Sequence, residues 1–76
     1  MADLPEPRQH EFYGSTRVRH AWWYPDTRDL VVEFPDGAKT RYFDVPSRVF
    51  DQFIAAASAG QFLNSVLTVQ HRYEPA

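Results

Sequence analysis

The side chains best suited to metal chemistry are the three histidines, His10, His20 and His71. A metal centre needs three or four ligands that converge within about 2–2.2 Å of one ion. These histidines lie far apart along the chain, none is paired with another at a spacing of a few residues, and the sequence has no cysteine. The spacing therefore predicts no metal site, and histidines that are exposed or half-buried.

Serine and aspartate form no catalytic constellation either. Turns and helix caps account for all four serines, Ser15, Ser47, Ser58 and Ser65. Asp26, Asp29 and Asp36 fall in predicted turns, whereas a general acid needs burial or a like-charged neighbour. We therefore expect no enzyme activity, no cofactor and no small-molecule substrate.

Composition places the chain among small globular domains. It has 76 residues, of which 16% are aromatic, so a few large side chains can build a core. Eight Lys and Arg against ten Asp and Glu give a formal charge of −2, which argues against a strongly basic nucleic-acid binder. The apolar runs are too short to span a bilayer, and the acidic, proline-bearing start is unlike a signal peptide. We expect a cytoplasmic protein without a membrane partner.

The residue pattern predicts three strands after a flexible arm. Residues 1–14 have no sustained period and are predicted to be that arm, residues 15–73 the single domain, and residues 74–76 a tail. The predicted strands, rich in β-branched and aromatic residues, are 17–24, 30–34 and 39–45. Asp36-Gly37 between the last two favours a hairpin in which Gly37 takes a positive φ. Two tight connections in series predict an antiparallel meander.

Helical spacing follows the strands. An apolar stripe at that spacing comprises Val49, Phe50, Phe53, Ile54 and Ala57, with Asp44 expected to cap the helix. Ser58 and Gln61 have the spacing of a capping box and predict a second, short helix. That helix would turn inward its apolar residues, Phe62, Leu63, Val66 and Leu67. The predicted fold is α+β, a three-stranded antiparallel β-meander packed against one long and one short C-terminal helix.

The pattern of residues resembles the KTSC domain. The resemblance rests on Ser15-Thr16-x-Val18, Leu30-x-Val32-x-Phe34, Gly37, Tyr42-x-x-Val45-Pro46, Val49-Phe50, Phe53, Ala56, Ser58-x-Gly60 and Phe62-Leu63-Asn64. That domain is named for its occurrence at the C-terminus of some lysyl-tRNA synthetases and also occurs as a small stand-alone bacterial protein. The resemblance implies RNA binding, to tRNA or single-stranded RNA, as an accessory function. Thr40 and Trp22 stand where the family often has tyrosine and glycine.

The two adjacent tryptophans point to opposite faces of their strand. The resemblance puts Trp23 at an aromatic core position, which turns Trp22 outward. The outer surface is then expected to hold aromatic and arginine side chains, namely Trp22, Tyr24, Phe43, Arg19, Arg28 and Arg41. Such a surface can stack unpaired bases, can contact a protein or a second copy, or can be covered by the chain's own ends. The expected function is therefore an RNA-binding accessory module or, alternatively, a protein-interaction or self-association module.

Overall fold

The computed structural model describes residues 6–76 of the chain. Its five strands are β1 (Arg8–Glu11), β2 (His20–Tyr24), β3 (Asp29–Glu33), β4 (Lys39–Tyr42) and β5 (Tyr73–Pro75). Between β4 and β5 lie the helix α1 (Ser47–Ala55) and then α2 (Ala59–Phe62), a π-helical segment (Leu63–Leu67) and α3 (Thr68–Gln70). The order of elements is therefore four strands, the helices and a last strand.

The strands form one antiparallel sheet in chain order, β1-β2-β3-β4-β5. An α+β fold with an antiparallel meander is confirmed, but the predicted number of three strands is wrong. The additional strands, β1 and β5, lie in segments predicted as the arm and at the tail, and each pairs at one edge of the sheet. β1 has no β-branched residue and β5 contains Pro75, so intrinsic preference gives no strand signal in either. Residues 1–5 of the predicted arm lie outside the described residues.

The helices also differ from the predicted long-and-short pair. α1 has nine residues, whereas α2, the π-helical segment and α3 follow one another without a break from Ala59 to Gln70. Ser58 caps α2 as predicted, since its Oγ accepts a hydrogen bond of 3.2 Å from the Gln61 N–H. Asp44 does not cap α1, because Pro46 occupies the N-cap position and Asp44 instead has a φ of 55°.

The core lies between the sheet and the helices. Its fully buried side chains include Val18, Leu30, Val32, Val45, Phe53 and Leu67. Trp23 belongs to this core, and its indole N–H donates to the Val45 carbonyl at 2.7 Å. Phe12, which follows β1, packs on Phe53 with ring centroids 4.9 Å apart and so ties the edge strand to α1.

The turn between β3 and β4 has the predicted conformation. Gly37 has a φ of 91°, and its N–H donates to the Phe34 carbonyl at 2.9 Å. The Asp36 carboxylate accepts a hydrogen bond of 3.0 Å from the Ala38 N–H, which closes the turn locally. This turn fixes the register in which β4 pairs with β3, and thereby the residues that share the outer side of the sheet.

Candidate partner-binding face of the sheet

The side of the sheet opposite the helices carries three rows of side chains, which we call the outer face. The first row consists of Glu11, His20, Glu33 and Lys39. The second row consists of Gln9, Trp22, Val31, Arg41 and Glu74. The third row consists of Tyr24, Asp29, Phe43 and Arg72. Because β1 and β5 extend the sheet sideways, the outer face spans all five strands.

Trp22 lies in the second, middle row of the outer face, and it points outward as the alternation of side chains predicts. It is half-buried and stands opposite Val31, which is only 7% exposed. The ring contacts neighbours of its own chain: the His20 ring at 4.3 Å between centroids and the Lys39 ammonium at 5.4 Å from the centroid. A ligand that stacks on Trp22 therefore competes with these two side chains.

The third row offers more accessible aromatic surface. Tyr24 is 37% exposed, and Phe43 is half-buried beneath the Arg72 guanidinium, 5.2 Å from the ring centroid. Sequence reasoning missed Arg72, because its position beside Phe43 depends on the pairing of β5, which left no strand signal. The hydrogen bond from the Phe43 N–H to the Arg72 carbonyl, 2.9 Å long, fixes that pairing.

The predicted arginines do not form one cluster. Arg28 lies in the turn before β3, beside the third row, where its guanidinium is 3.7 Å from the Asp44 carboxylate. Arg41 lies in the second row, with its Nε 3.9 Å from the Asp29 carboxylate. Arg19 precedes β2 at the opposite end of the sheet, hydrogen-bonded through its backbone to Phe12 and Glu33. The structure thus brings together Trp22, Tyr24, Phe43, Arg41 and Arg28 but leaves Arg19 apart.

Charge on the outer face is divided between its two halves. Carboxylates lie mainly on β1 and β3, as Glu11, Asp29 and Glu33. Cations lie on β4 and just before β5, as Lys39, Arg41 and Arg72, with Glu74 among them. Both signs are present in similar number, so the face is not a continuous basic track of the kind that follows a phosphate backbone.

The described residues offer neither a metal centre nor a membrane-spanning helix. Residues 6–76 contain no group of three or more histidine, aspartate or glutamate side chains placed to hold a metal ion. Within the same range, no helix has the length and apolar character needed to cross a membrane. A groove of about 680 Å³ lies between 9–17 and the end of α1; of the outer face it includes only Gln9 and Glu11, and the six predicted site residues are not among its lining.

A comparison of the sequence with known protein families identifies one match. A family model described as the KTSC domain matches residues 14–73. The chain belongs to the KTSC domain family. A relative in Tsukamurella paurometabola is 34% identical over 58 residues, which cover 76% of this chain and 87% of that protein, and its name states no function. An uncharacterised protein of Stutzerimonas stutzeri is 37% identical over 57 residues, which cover 75% of this chain and 80% of that one.

The fold of this KTSC domain is shared by a solved structure. The crystal structure of a KTSC domain protein from Yersinia pestis superposes with a TM-score of 0.82 and covers 92% of this chain and 97% of that chain. The sequence identity is 24%, so this likeness establishes the fold alone. The names of the two relatives state no enzymatic activity, and this chain shares with them a stretch of 57 or 58 residues.

Proposed function

We propose that this KTSC domain protein is a nonenzymatic, cytoplasmic binding module whose outer face docks on the outer face of a second copy. The observation that carries the proposal is the division of charge on that open face. Cations lie on and beside β4, while carboxylates lie on β1 and β3. A surface divided in this way complements itself when a second copy is turned over, because each half then meets the half of opposite sign.

The register defines the contacts of such a pair. A two-fold axis parallel to the strands, between β3 and β4, opposes β3 of one copy to β4 of the other, opposes β2 to β5, and keeps the rows aligned. Glu33 then lies over the partner copy's Lys39 as an ion pair, and Arg72 lies over the partner copy's Tyr24 in a cation–π contact. Arg41 lies over the partner copy's Val31, on the strand that also carries the partner copy's Asp29 and Glu33, so a carboxylate at position 41 would meet charges of its own sign.

The size of the face sets the strength of the association. Five strands spaced about 4.8 Å apart and three rows of side chains give a footprint of roughly 24 Å by 14 Å. The area of this footprint is below the roughly 800 Å² per partner of a standard stable interface, even when the extra area of protruding side chains is added. We therefore expect a weak and transient pair, with a dissociation constant in the micromolar range or above.

Sedimentation velocity at increasing protein concentration tests the proposal. The decisive variant is Arg41→Glu, which reverses a charge at the centre of the face. Its matched control is Arg48→Glu, the same change at an exposed residue of α1 on the other side of the molecule. The wild type and the control should associate alike, and Arg41→Glu should associate at least tenfold more weakly. A chain that stays monomeric at millimolar concentration, or two variants that behave alike, would contradict the proposal.

Single-stranded RNA at the third row is the second candidate. It is favoured by the accessible ring of Tyr24 and by the Arg72 guanidinium above Phe43, with Arg28 close to the same row. The resemblance to a domain found in lysyl-tRNA synthetases supports the same ligand. The ion pairs of Arg28 and Arg41 with carboxylates weigh against it, since a phosphate must compete with Asp44 and Asp29.

Fluorescence anisotropy with labelled oligouridine at low salt separates the two candidates. Three phosphate contacts on a single strand give a log–log salt slope of about −2, so a fourfold rise in salt should weaken binding roughly 20-fold. Phe43→Ala should lower the affinity and leave that slope unchanged, because a ring releases no counterions. The absence of binding at high micromolar protein excludes this candidate, and retained binding by Phe43→Ala excludes the stacking part of it.

A further inference from the structure

The free edge of β1 presents unpaired backbone groups. β1 is the first strand in the sheet order, so only one of its sides pairs with β2. The Phe12 N–H donates to the Arg19 carbonyl at 3.0 Å. Since bonded and non-bonded pairs alternate in an antiparallel ladder, Gln9 and Glu11 turn their amide and carbonyl groups away from β2. The opposite edge is less suitable, because β5 contains Pro75, which has no N–H to donate.

A groove lies directly beside this edge. It has a volume of about 680 Å³ and is lined by 9–11, the loop 12–17 and the segment that joins α1 to α2. The side chains of this joining segment and of the start of α2 are small, with Ala56, Ala57, Ala59 and Gly60 among the lining residues. The edge strand and the end of a helix therefore form the two sides of a channel, the arrangement in which an extended peptide adds to a sheet.

Arg17 contributes a cationic side chain to the lining of the groove. The aliphatic part of Arg17 lies against Gly60, where an added Cβ would stand 2.4 Å from Arg17 Cδ. Over residues 6–76, Arg17 is in no ion pair with a carboxylate, although it lines the groove. At the rim, Tyr13 is 85% exposed, an aromatic side chain with surface left to bury. A ligand that fits Arg17 and Tyr13 carries a carboxylate, which can pair with the guanidinium, and apolar side chains next to it.

We propose that the groove binds an extended peptide segment of another protein, which adds a strand to β1 and places a carboxylate on Arg17. The peptide backbone pairs with the outward groups of Gln9 and Glu11. Alternate side chains of the peptide face the end of α1, where Phe12 and Ile54 supply apolar contact. Of the outer face, this site includes only Gln9 and Glu11 of the edge strand, and it includes neither Trp22 nor the third row, so loss of peptide binding can be distinguished from loss of the proposed self-association.

The experiment selects ligands for the full chain from a displayed library of random seven-residue peptides with free C-termini. Enriched peptides should carry a carboxylate and apolar residues at alternate positions. In hydrogen exchange, the amides of Gln9 and Glu11 should be rapid in the free protein and protected in the complex. Amidated copies of the same peptides distinguish a terminal carboxylate from an acidic side chain.

Variants at the edge make the test specific. Gln9→Pro removes one N–H that points away from β2 and leaves the hydrogen bonds between β1 and β2 in place. Gln9→Thr is the matched control, because it also loses the glutamine side chain but keeps the N–H. With equal melting temperatures, Gln9→Pro should bind roughly tenfold or more weakly than Gln9→Thr. Arg17→Gln should weaken acidic peptides alone. Failure of enrichment, protection of Trp22 and Val31 in place of Gln9 and Glu11, or equal binding by the two Gln9 variants would overturn the proposal.

Discussion

Arg28 and Asp44 face each other across two loops, and both have a left-handed backbone. Their φ values are 61° and 55°, and the guanidinium lies 3.7 Å from the carboxylate. The Arg28 carbonyl also accepts a hydrogen bond of 2.7 Å from the Val45 N–H. Since the Val45 carbonyl in turn accepts from the Trp23 indole, the two strained loops are held by a chain of contacts that ends in the core.

The strain at Asp44 can be measured by substitution. Asp44→Val should destabilise the fold by about 1–3 kcal/mol, because a β-branched residue resists positive φ. Asp44→Gly relieves the same strain, and the exposed ion pair that it removes contributes only about 0–1 kcal/mol. Glycine should therefore be neutral or stabilising in urea denaturation. Equal losses for valine and glycine would show that the carboxylate, and not the backbone, matters at this position.

The close approach of Arg17 to Gly60 gives a double-mutant cycle. Gly60→Ala should destabilise, since the new Cβ would meet Arg17 Cδ at 2.4 Å and Cβ at 2.8 Å. Combination with Arg17→Gly should recover part of the loss, and Arg17→Ala should recover less, because alanine retains the second of these atoms. The coupling is read from urea midpoints of the single and double variants. If the losses of unfolding free energy in the single variants simply add in the double variant, the destabilisation by Gly60→Ala does not arise from contact with Arg17.

Phe53 is expected to be the most sensitive position of the helix stripe. It is fully buried between Phe12 and Phe62, with ring centroids 4.9 and 5.7 Å away. Phe53→Ala should cost roughly 3–5 kcal/mol, enough to unfold many domains of this size. Gln52→Ala, at an exposed neighbour on the same helix, should change little. If the alanine variant does not fold, Phe53→Leu provides a folded variant for comparison. A melting temperature that is unchanged in both variants would show that Phe53 is not packed in the core.

Tyr42 links stability to alkaline pH. Burial raises the pKa of its phenol above the usual 10.0, although the hydrogen bond with Thr68 opposes the rise. A raised folded-state pKa means that this contribution to stability is complete below pH 10.0 and is lost as pH rises from there through the folded-state pKa. Urea midpoints should therefore fall more steeply above pH 10.0 for the wild type than for Tyr42→Phe. Identical profiles would show that Tyr42 does not titrate differently on folding.

The parts of the fold that sequence could predict are those with a local cause. Asp36-Gly37 has the chemistry of a hairpin turn, Ser58 has the spacing of a cap, and the two tryptophans obey strand alternation. β1 and β5 have no such cause, because they become strands only when the edge of an existing sheet offers them partners. The candidate site divides in the same way: Trp22 follows from alternation, whereas Arg72 depends on β5, and the position of Arg19 depends on where β2 begins.

The π-helical segment changes the direction in which the side chains of the following helix, α3, point. The Thr68 N–H bonds to the Leu63 carbonyl, five residues back, so this turn contains one residue more than an α-helical turn. Removal of one residue here would convert it to an α-helix and rotate α3 by about 100°. Thr68 would then leave the Tyr42 hydroxyl, which it now meets at 3.3 Å. The segment thus acts as an angular spacer that lets Leu63 and Leu67 stay buried while Thr68 still reaches the sheet.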